Sequence, residues 1–311
     1  AASDVYKRQR IIPFQNNDIP GIMLSGSIRS YVNRWGINNL QKVLLFTNND
    51  DAYLTAKNLI ENGINCIGIV DTRNNPKKTG YKLKIYKGSQ VINAFGKLNL
   101  KGVNIINKEG KITYLECDYL GVSGGWNPNI HISCHTGVKP EWNQQILAFT
   151  PGLNNISTHL EAAGSASGKF TLNGCFADAE SKIKNILNEL KVKPKKYVIP
   201  KFNIDKYNID PFWYVEHGSQ RKWVDFQNDV TIKDIEIAYD ENFRSVEHLK
   251  RYTTLGMGTD QGKTSNVTGL AILAKLSKKL IPEVGTTVFR PPYIPLSLDA
   301  VVGPQIGKNL K

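Results

Sequence analysis

Apolar and polar positions follow two different periods along this chain, and each switch of period marks an element. Val43–Phe46 is a continuous apolar run of strand length. After the polar turn Thr47–Asp51, the stretch Ala52–Asn62 sets Ala52, Ala56, Leu59 and Ile60 on one helical face. Gly63 follows, where a left-handed residue ends a helix. Ile64–Val70 is a second apolar run, closed by Asp71. Strand, helix and strand in about 30 residues predict a βαβ unit of a doubly wound parallel sheet.

The pattern then changes. Tyr81–Tyr86 alternates Leu83 and Ile85 with lysines, and Val103–Ile106 and Ile112–Cys117 read as further strands. Tyr119–Ser123 is a strand running into Gly124-Gly125-Trp126. Ala177–Leu190 carries Ile183, Ile186, Leu187 and Leu190 at helical spacing. Pro194–Pro211 is a Lys- and Pro-containing linker. Beyond it, Ile232–Tyr239, Val246–Tyr252 and Val267–Leu276 predict helices. The expected organisation is an α/β region over 10–193 and a small, mainly helical region over 194–280, with 281–311 as a connector.

Composition narrows the classes. Hydrophobic residues make up 41% of the 311, ordinary for a chain that buries a core. No apolar run approaches the roughly 18 residues of a membrane span. The net charge is +13, but the lysines are dispersed among Asn and Ile. That spacing favours a solvated basic surface, or a face meeting an acidic partner subunit, over nucleic acid. Cys66, Cys117, Cys134 and Cys175 lie far apart, without metal-ligand spacing, which fits reduced thiols in a cytoplasmic setting. Ala1–Gln9 looks like a translated sequencing-adapter remnant and is expected to lie outside the fold. The end near Gly303–Gly307 has no closing element, so a truncated reading frame is expected.

Three turns carry candidate chemistry. A dinucleotide turn needs glycines, so that backbone N–H groups reach the pyrophosphate, and a free helix N-terminus. Thr47-Asn48-Asn49-Asp50-Asp51 has no glycine and sets two carboxylates at the helix start, so a structural βαβ is expected there, with Asp71 where a ribose-binding acid would stand. Gly124, Gly125, Trp126 and Asn127 allow close approach of a ligand or of another backbone. Gly164 and Ser165, within Ala163–Gly168, can present N–H groups to a phosphate or pack a helix on a strand. His131 and His135 are four apart, but Pro128 and Gly137 favour a loop there, and a zinc site is not expected.

Several segments resemble the α (large) subunit of heterotetrameric sarcosine oxidase. Asp18-Ile19-Pro20-Gly21-Ile22-Met23-Leu24, Phe46–Asp50 and Val122–Pro128 are similar to that family's D-x-P-G-[VI]-M-L, F-T-N-N-D and V-S-G-G-W-x-P stretches. Val224–Ile235 and Arg244–Asn266 resemble its middle domain, and Glu283–Thr287 and Arg290–Tyr293 resemble the passage toward its folate domain. The resemblance implies an FAD/NAD(P)-binding, disulfide-reductase-like Rossmann region. Within it, an inserted second dinucleotide domain spans about 28–116, and the return of the first domain spans about 117–193. It implies an enzyme of α, β, γ and δ subunits that demethylates sarcosine, reduces oxygen to hydrogen peroxide and passes the one-carbon unit to tetrahydrofolate. FAD would lie in β, FMN at the α–β interface, NAD in α and tetrahydrofolate in a C-terminal domain that this chain lacks. No catalytic residue is expected here.

The middle region also resembles a ferredoxin-like [2Fe–2S] module in which Asp225, Gln227, Asp260 and Ser265 stand at the four cysteine positions. A cluster of this type needs four thiolates. Lys250, Arg251, Thr253, Thr254, Gln261, Gly262, Lys263, Thr264 and Ser265 are the expected cofactor-binding residues in this region, as donors suited to a flavin phosphate. Two rival readings are the α subunit of a proline or opine dehydrogenase, which tends to keep the cluster cysteines, and a non-catalytic basic interaction module.

Overall fold

The computed structural model describes residues 7–76, 80–153, 160–193, 206–294 and 296–302. The early strands and helices are β1 (Lys7–Gln9), β2 (Ile22–Leu24), α1 (Ser25–Trp35), β3 (Val43–Thr47), α2 (Asp51–Glu61), β4 (Cys66–Asp71) and β5 (Ile85–Lys87). A meander of β6 (Gln90–Gly96), β7 (Leu100–Ile106) and β8 (Ile112–Glu116) precedes β9 (Tyr119–Ser123) and β10 (Trp126–Pro128). A parallel five-stranded sheet runs in the order β2-β9-β3-β4-β5, and the meander forms a separate antiparallel sheet.

Both faces of the parallel sheet are covered, which is why β3 is apolar at every position but its last. Val43 and Leu45 pack on Ile28 and Val32 of α1 and on Ala52, Ala56 and Leu59 of α2. Leu44 and Phe46 pack the other way, on Val91, Ala94, Val103 and Ile105 of the meander. Because β9 lies between β2 and β3, it completes this sheet. The parallel sheet thus takes in β2, ahead of residue 28, and β9, beyond residue 117.

The remaining elements are α3 (His131–His135), β11 (Glu141–Asn143), β12 (Ala148–Thr150), a 3₁₀ turn over Gly164–Ser167 and α4 (Leu172–Glu189). They are followed by β13 (Trp223–Asp225), β14 (Val230–Thr231), α5 (Ile232–Asp240), α6 (Val246–Thr253), α7 (Asn266–Leu276), α8 (Ile281–Val284) and α9 (Leu298–Val302). Thr231 starts α5 with a capping box, its hydroxyl and the Asp234 carboxylate serving each other's backbone N–H groups. Helix α7 is buried on nearly every side from Asn266 to Ala274 and forms the axis of the second core.

The division expected at 194 is crossed in both directions. Ile130, Cys134 and Phe149 pack into the helical core, and Phe212 and Val215 pack back into the sheet core. Residues 194–205 of the expected linker lie outside the described residues. Lys7–Gln9, set aside as foreign, pair with β10, and the Gln9 side chain bonds Ser25, Asp51 and Ser123. His131–His135 is a helical turn rather than a loop, because Ser133 Oγ and the Cys134 N–H both reach the Ile130 carbonyl. Among the described residues, no group of three or more His, Cys, Asp or Glu side chains is placed to hold a metal ion.

Candidate functional site

The glycine-free turn is closed by the chain itself. Ile209 bridges Asn49, the Asp210 N–H reaches the Asn48 carbonyl, and Asn48 Nδ2 donates to the carbonyls of Asp210 and Phe212. Asp50 Oδ2 accepts from the Asn208 backbone and side chain, at 3.1 and 2.8 Å. Residues 206–212 thus lie across the place where a dinucleotide would meet the turn.

The acid at the end of β4 is engaged as well. Arg73 binds Asp71 at 2.8 Å and Asp50 at 2.7 Å, and Tyr53 donates to Asp71 at 2.8 Å. Burial opposes the Arg73 charge, but the hydrogen bonds and charges of Asp71 and Asp50 outweigh it and hold its pKa above the ordinary value. Asp71 therefore anchors the turn and is not open to a ribose.

Gly124 and Gly125 serve a close approach, and the neighbour is the N-terminal segment. A Cβ on Gly124 would sit 2.6 Å from the Ile11 carbonyl. On Gly125, at φ +100°, it would sit 2.2 Å from Arg10 Nη2. Arg10 is fully buried and donates to the carbonyls of Gly124, Trp126 and Leu147 and to Asn127 Oδ1. Complete burial brings its pKa down to about 10. The Gly164 turn is likewise filled: its N–H and the Ser167 hydroxyl both donate to Asp178 of α4. The N–H groups of Gly124 and Gly164 are bonded within the chain. Neither of these two N–H groups is open to a pyrophosphate.

At the positions expected to match cluster cysteines, Asp225 makes hydrogen bonds. It is 2% exposed and accepts from the N–H groups of Gln227, Asn228 and Gly256 and from the Ser265 hydroxyl. Burial, with the Asp225 charge added, raises the Asp260 pKa. One carboxylate thus ties the 225–228 turn to the loops at Gly256 and Ser265.

The expected phosphate donors divide. Thr253 and Ser265 turn their hydroxyls inward, to Leu249 O and Asp225, and the exposed Thr254 hydroxyl donates to the carbonyl of Thr253. Gln261 fastens the chain at Arg290 and Pro292. Arg251 lies 67% exposed on α6, and Thr264 lines an apolar cavity of about 270 Å³ with Ile22, Leu24, Val122 and Phe226. Lys250 is half-buried, and its pKa is lowered by burial and by Arg290 and Arg251, against Glu247.

Lys263 is the donor that meets the other candidate loop. With Gly262 it lines a narrow cleft shared with Asn127, Arg8, Thr286, Phe289 and Tyr293. Its ammonium lies 4.5 Å from the Tyr293 ring centroid. Burial lowers its pKa, Asp260 opposes and Arg8 reinforces. His131 stacks on Tyr293 at 4.0 Å, and burial, His135, Lys263 and Arg8 all lower its pKa. The charged side chains lining this cleft, Arg8 and Lys263, are both positive, which suits an anion at its mouth; the enclosed space itself is about 30 Å³. Tyr293 and Phe289 are not legible as members of this site, because an aromatic after Pro-Pro and a lone phenylalanine have no fixed partner in sequence.

The family described as Sarcosine oxidase A3 domain matches residues 219–304. Sarcosine oxidase subunit alpha of Rhizobium meliloti (strain 1021) is 34% identical over 97% of this chain and 31% of its own length. The protein of the same name from Corynebacterium sp. (strain U-96) is 32% identical over 97% of this chain and 33% of its own. The chain thus spans about a third of the length of these curated relatives. In fold it is similar to L-proline dehydrogenase from P. horikoshii, with a TM-score of 0.62, 19% identity, and coverage of 94% of this chain and 56% of that one.

Proposed function

We propose that this chain, which is homologous to the sarcosine oxidase alpha subunits, forms a non-catalytic framework region of such a subunit and seats a flavin phosphate. The observation that carries the reading is the shared cleft, where Asn127 of one candidate loop and Gly262 and Lys263 of the other line one positively charged space. Lys263, with Arg8 beside it, would hold the phosphate. A flavin bound there supplies electron-transfer chemistry, while this chain orients it and balances its charge. Oxidation of sarcosine would take place at FAD in β, and γ and δ would complete the assembly. Folate chemistry would belong to sequence beyond this chain. The cysteine-free stretch from 212 to 300 disfavours the cluster-bearing proline or opine dehydrogenase reading.

The test uses the full-length subunit co-expressed with β. Lys263→Ala should lower FMN retained per complex by about tenfold, the effect of losing roughly 1.4 kcal/mol of charge-assisted contact. Unchanged FMN content in an intact complex would remove the flavin role.

A further inference from the structure

The outer face of the β6–β8 meander takes no part in the site above. Its inner face closes the sheet core through Val91, Ala94, Val103 and Ile105. Its outer face shows Phe95 and Tyr114 in an edge-on pair at 5.9 Å, with Tyr114 52% and Ile112 50% exposed. Tyr114 is held in place: its hydroxyl donates to the Lys101 carbonyl at 3.0 Å, and its ring lies over Gly102, where a Cβ would come within 2.3 Å of Tyr114 Oη. At the tip of the β6–β7 turn, Leu98 is 91% exposed. A rigid aromatic pair beside exposed aliphatic side chains has the make-up of an interface centre.

The charge around this face is net positive. The meander and its turns, residues 90–116, hold four lysines (97, 101, 108 and 111), all exposed, against Glu109 and Glu116. None of them forms an ion pair among the described residues, and Glu116 is taken by Lys42. Dispersed lysines guard a free sheet edge against pairing, but that role does not call for an exposed aromatic pair and a leucine at a turn tip.

From these observations we infer that the outer face of the meander is a docking surface for the acidic face of another protein subunit, with Phe95, Tyr114, Ile112 and Leu98 as its apolar centre and the lysines as its rim. An apolar centre inside a charged rim is the usual build of a protein interface. A nucleic acid would be read chiefly through its phosphates, with strong dependence on salt. The inference rests on the proposed membership in a multi-subunit oxidase.

The experiment immobilises the full-length subunit and titrates purified β, then γ and δ, at two salt concentrations. It compares the unaltered protein with a Lys97→Glu, Lys101→Glu, Lys111→Glu variant and, separately, with Tyr114→Ser. All four positions are solvent-exposed, and circular dichroism confirms that each variant folds. One subunit should bind the unaltered chain, more weakly at higher salt, and the triple reversal should weaken that binding at least about tenfold. Tyr114→Ser should weaken it without changing the salt dependence. If the unaltered chain assembles and both variants assemble equally well, this inference is overturned while the oxidase reading stands. If the unaltered chain binds none of the subunits, the oxidase reading itself fails. Binding of a single-stranded RNA probe through the same lysines, with no subunit affected, would also overturn it.

Discussion

Removing Arg73 should loosen the closed turn more than any other single change in the sheet region. Arg73 makes the 2.7 and 2.8 Å ion pairs to Asp50 and Asp71, whose side chains are 7% and 0% exposed. Arg73→Ala leaves two carboxylates buried without their cation. Breaking a buried pair in this way costs about 3–5 kcal/mol, most of it the price of the stranded charges. Because Asp50 also holds Asn208, the loss should be felt in residues 206–212. Native-state hydrogen exchange measures it: the amides of Asn208 and Asp210 should lose protection by about 100-fold, the equivalent of ~3 kcal/mol. Asp50→Asn, which keeps the Asp71 pair, should release the same segment with a smaller effect on the end of β4. The triple change Arg73→Met, Asp50→Asn, Asp71→Asn removes charge on both sides and should recover much of the stability. Less than a fivefold change in Arg73→Ala would refute the argument that this pair fastens the segment.

Other outcomes follow from the same geometry. Asp225→Ala strands the buried Gly256 N–H and the Ser265 hydroxyl and should cost about 2–4 kcal/mol, read as a lower urea midpoint, whereas Asp225→Asn should cost less. Purified protein should contain no stoichiometric iron or acid-labile sulfide, checked by metal analysis. Burial pushes the Cys66 thiol up to about 11 and Cys117 to about 12, so neither should be alkylated by iodoacetamide at pH 8 until the chain is unfolded. The sign for stability follows. Between about pH 9 and 11 the folded state holds protons that the unfolded chain has released, so stability should fall as pH rises. This chain, free of partners, should form no peroxide from sarcosine in a coupled peroxidase assay.

Much of the architecture was legible because strongly periodic segments are buried on a defined face. Val43–Thr47, Asp51–Glu61 and Cys66–Asp71 lie within a residue or two of their expected bounds, as do α5, α6 and α7. Gln90–Gly96 escaped notice because its alternation is broken by Asn93 and its partner β7 is supplied by tertiary pairing. The stripe of Ile183, Ile186, Leu187 and Leu190 marked a helix, yet no residue of α4 is fully buried, so periodicity identified the element and not its contacts. The loops were harder. Gly124 and Gly125 signalled a close approach, but glycine does not say whether a ligand or Arg10 makes it. Thr253, Thr254 and Ser265 read as donors in sequence, while local geometry turns them onto the chain. Lys263 and Asn127 are 136 positions apart, and only the packing of α7 against the 127–131 loop brings them to one cleft.

In the proposed function, this region frames a flavin within a sarcosine-oxidising assembly. The most direct test of this reading is the flavin content and sarcosine-dependent peroxide formation of the full-length subunit purified with β, γ and δ. The complex should hold both FMN and FAD and be active with sarcosine, and Lys263→Ala should lose FMN while FAD remains. A complex that holds no FMN, or that forms no peroxide from sarcosine when fully loaded with flavin, would contradict it.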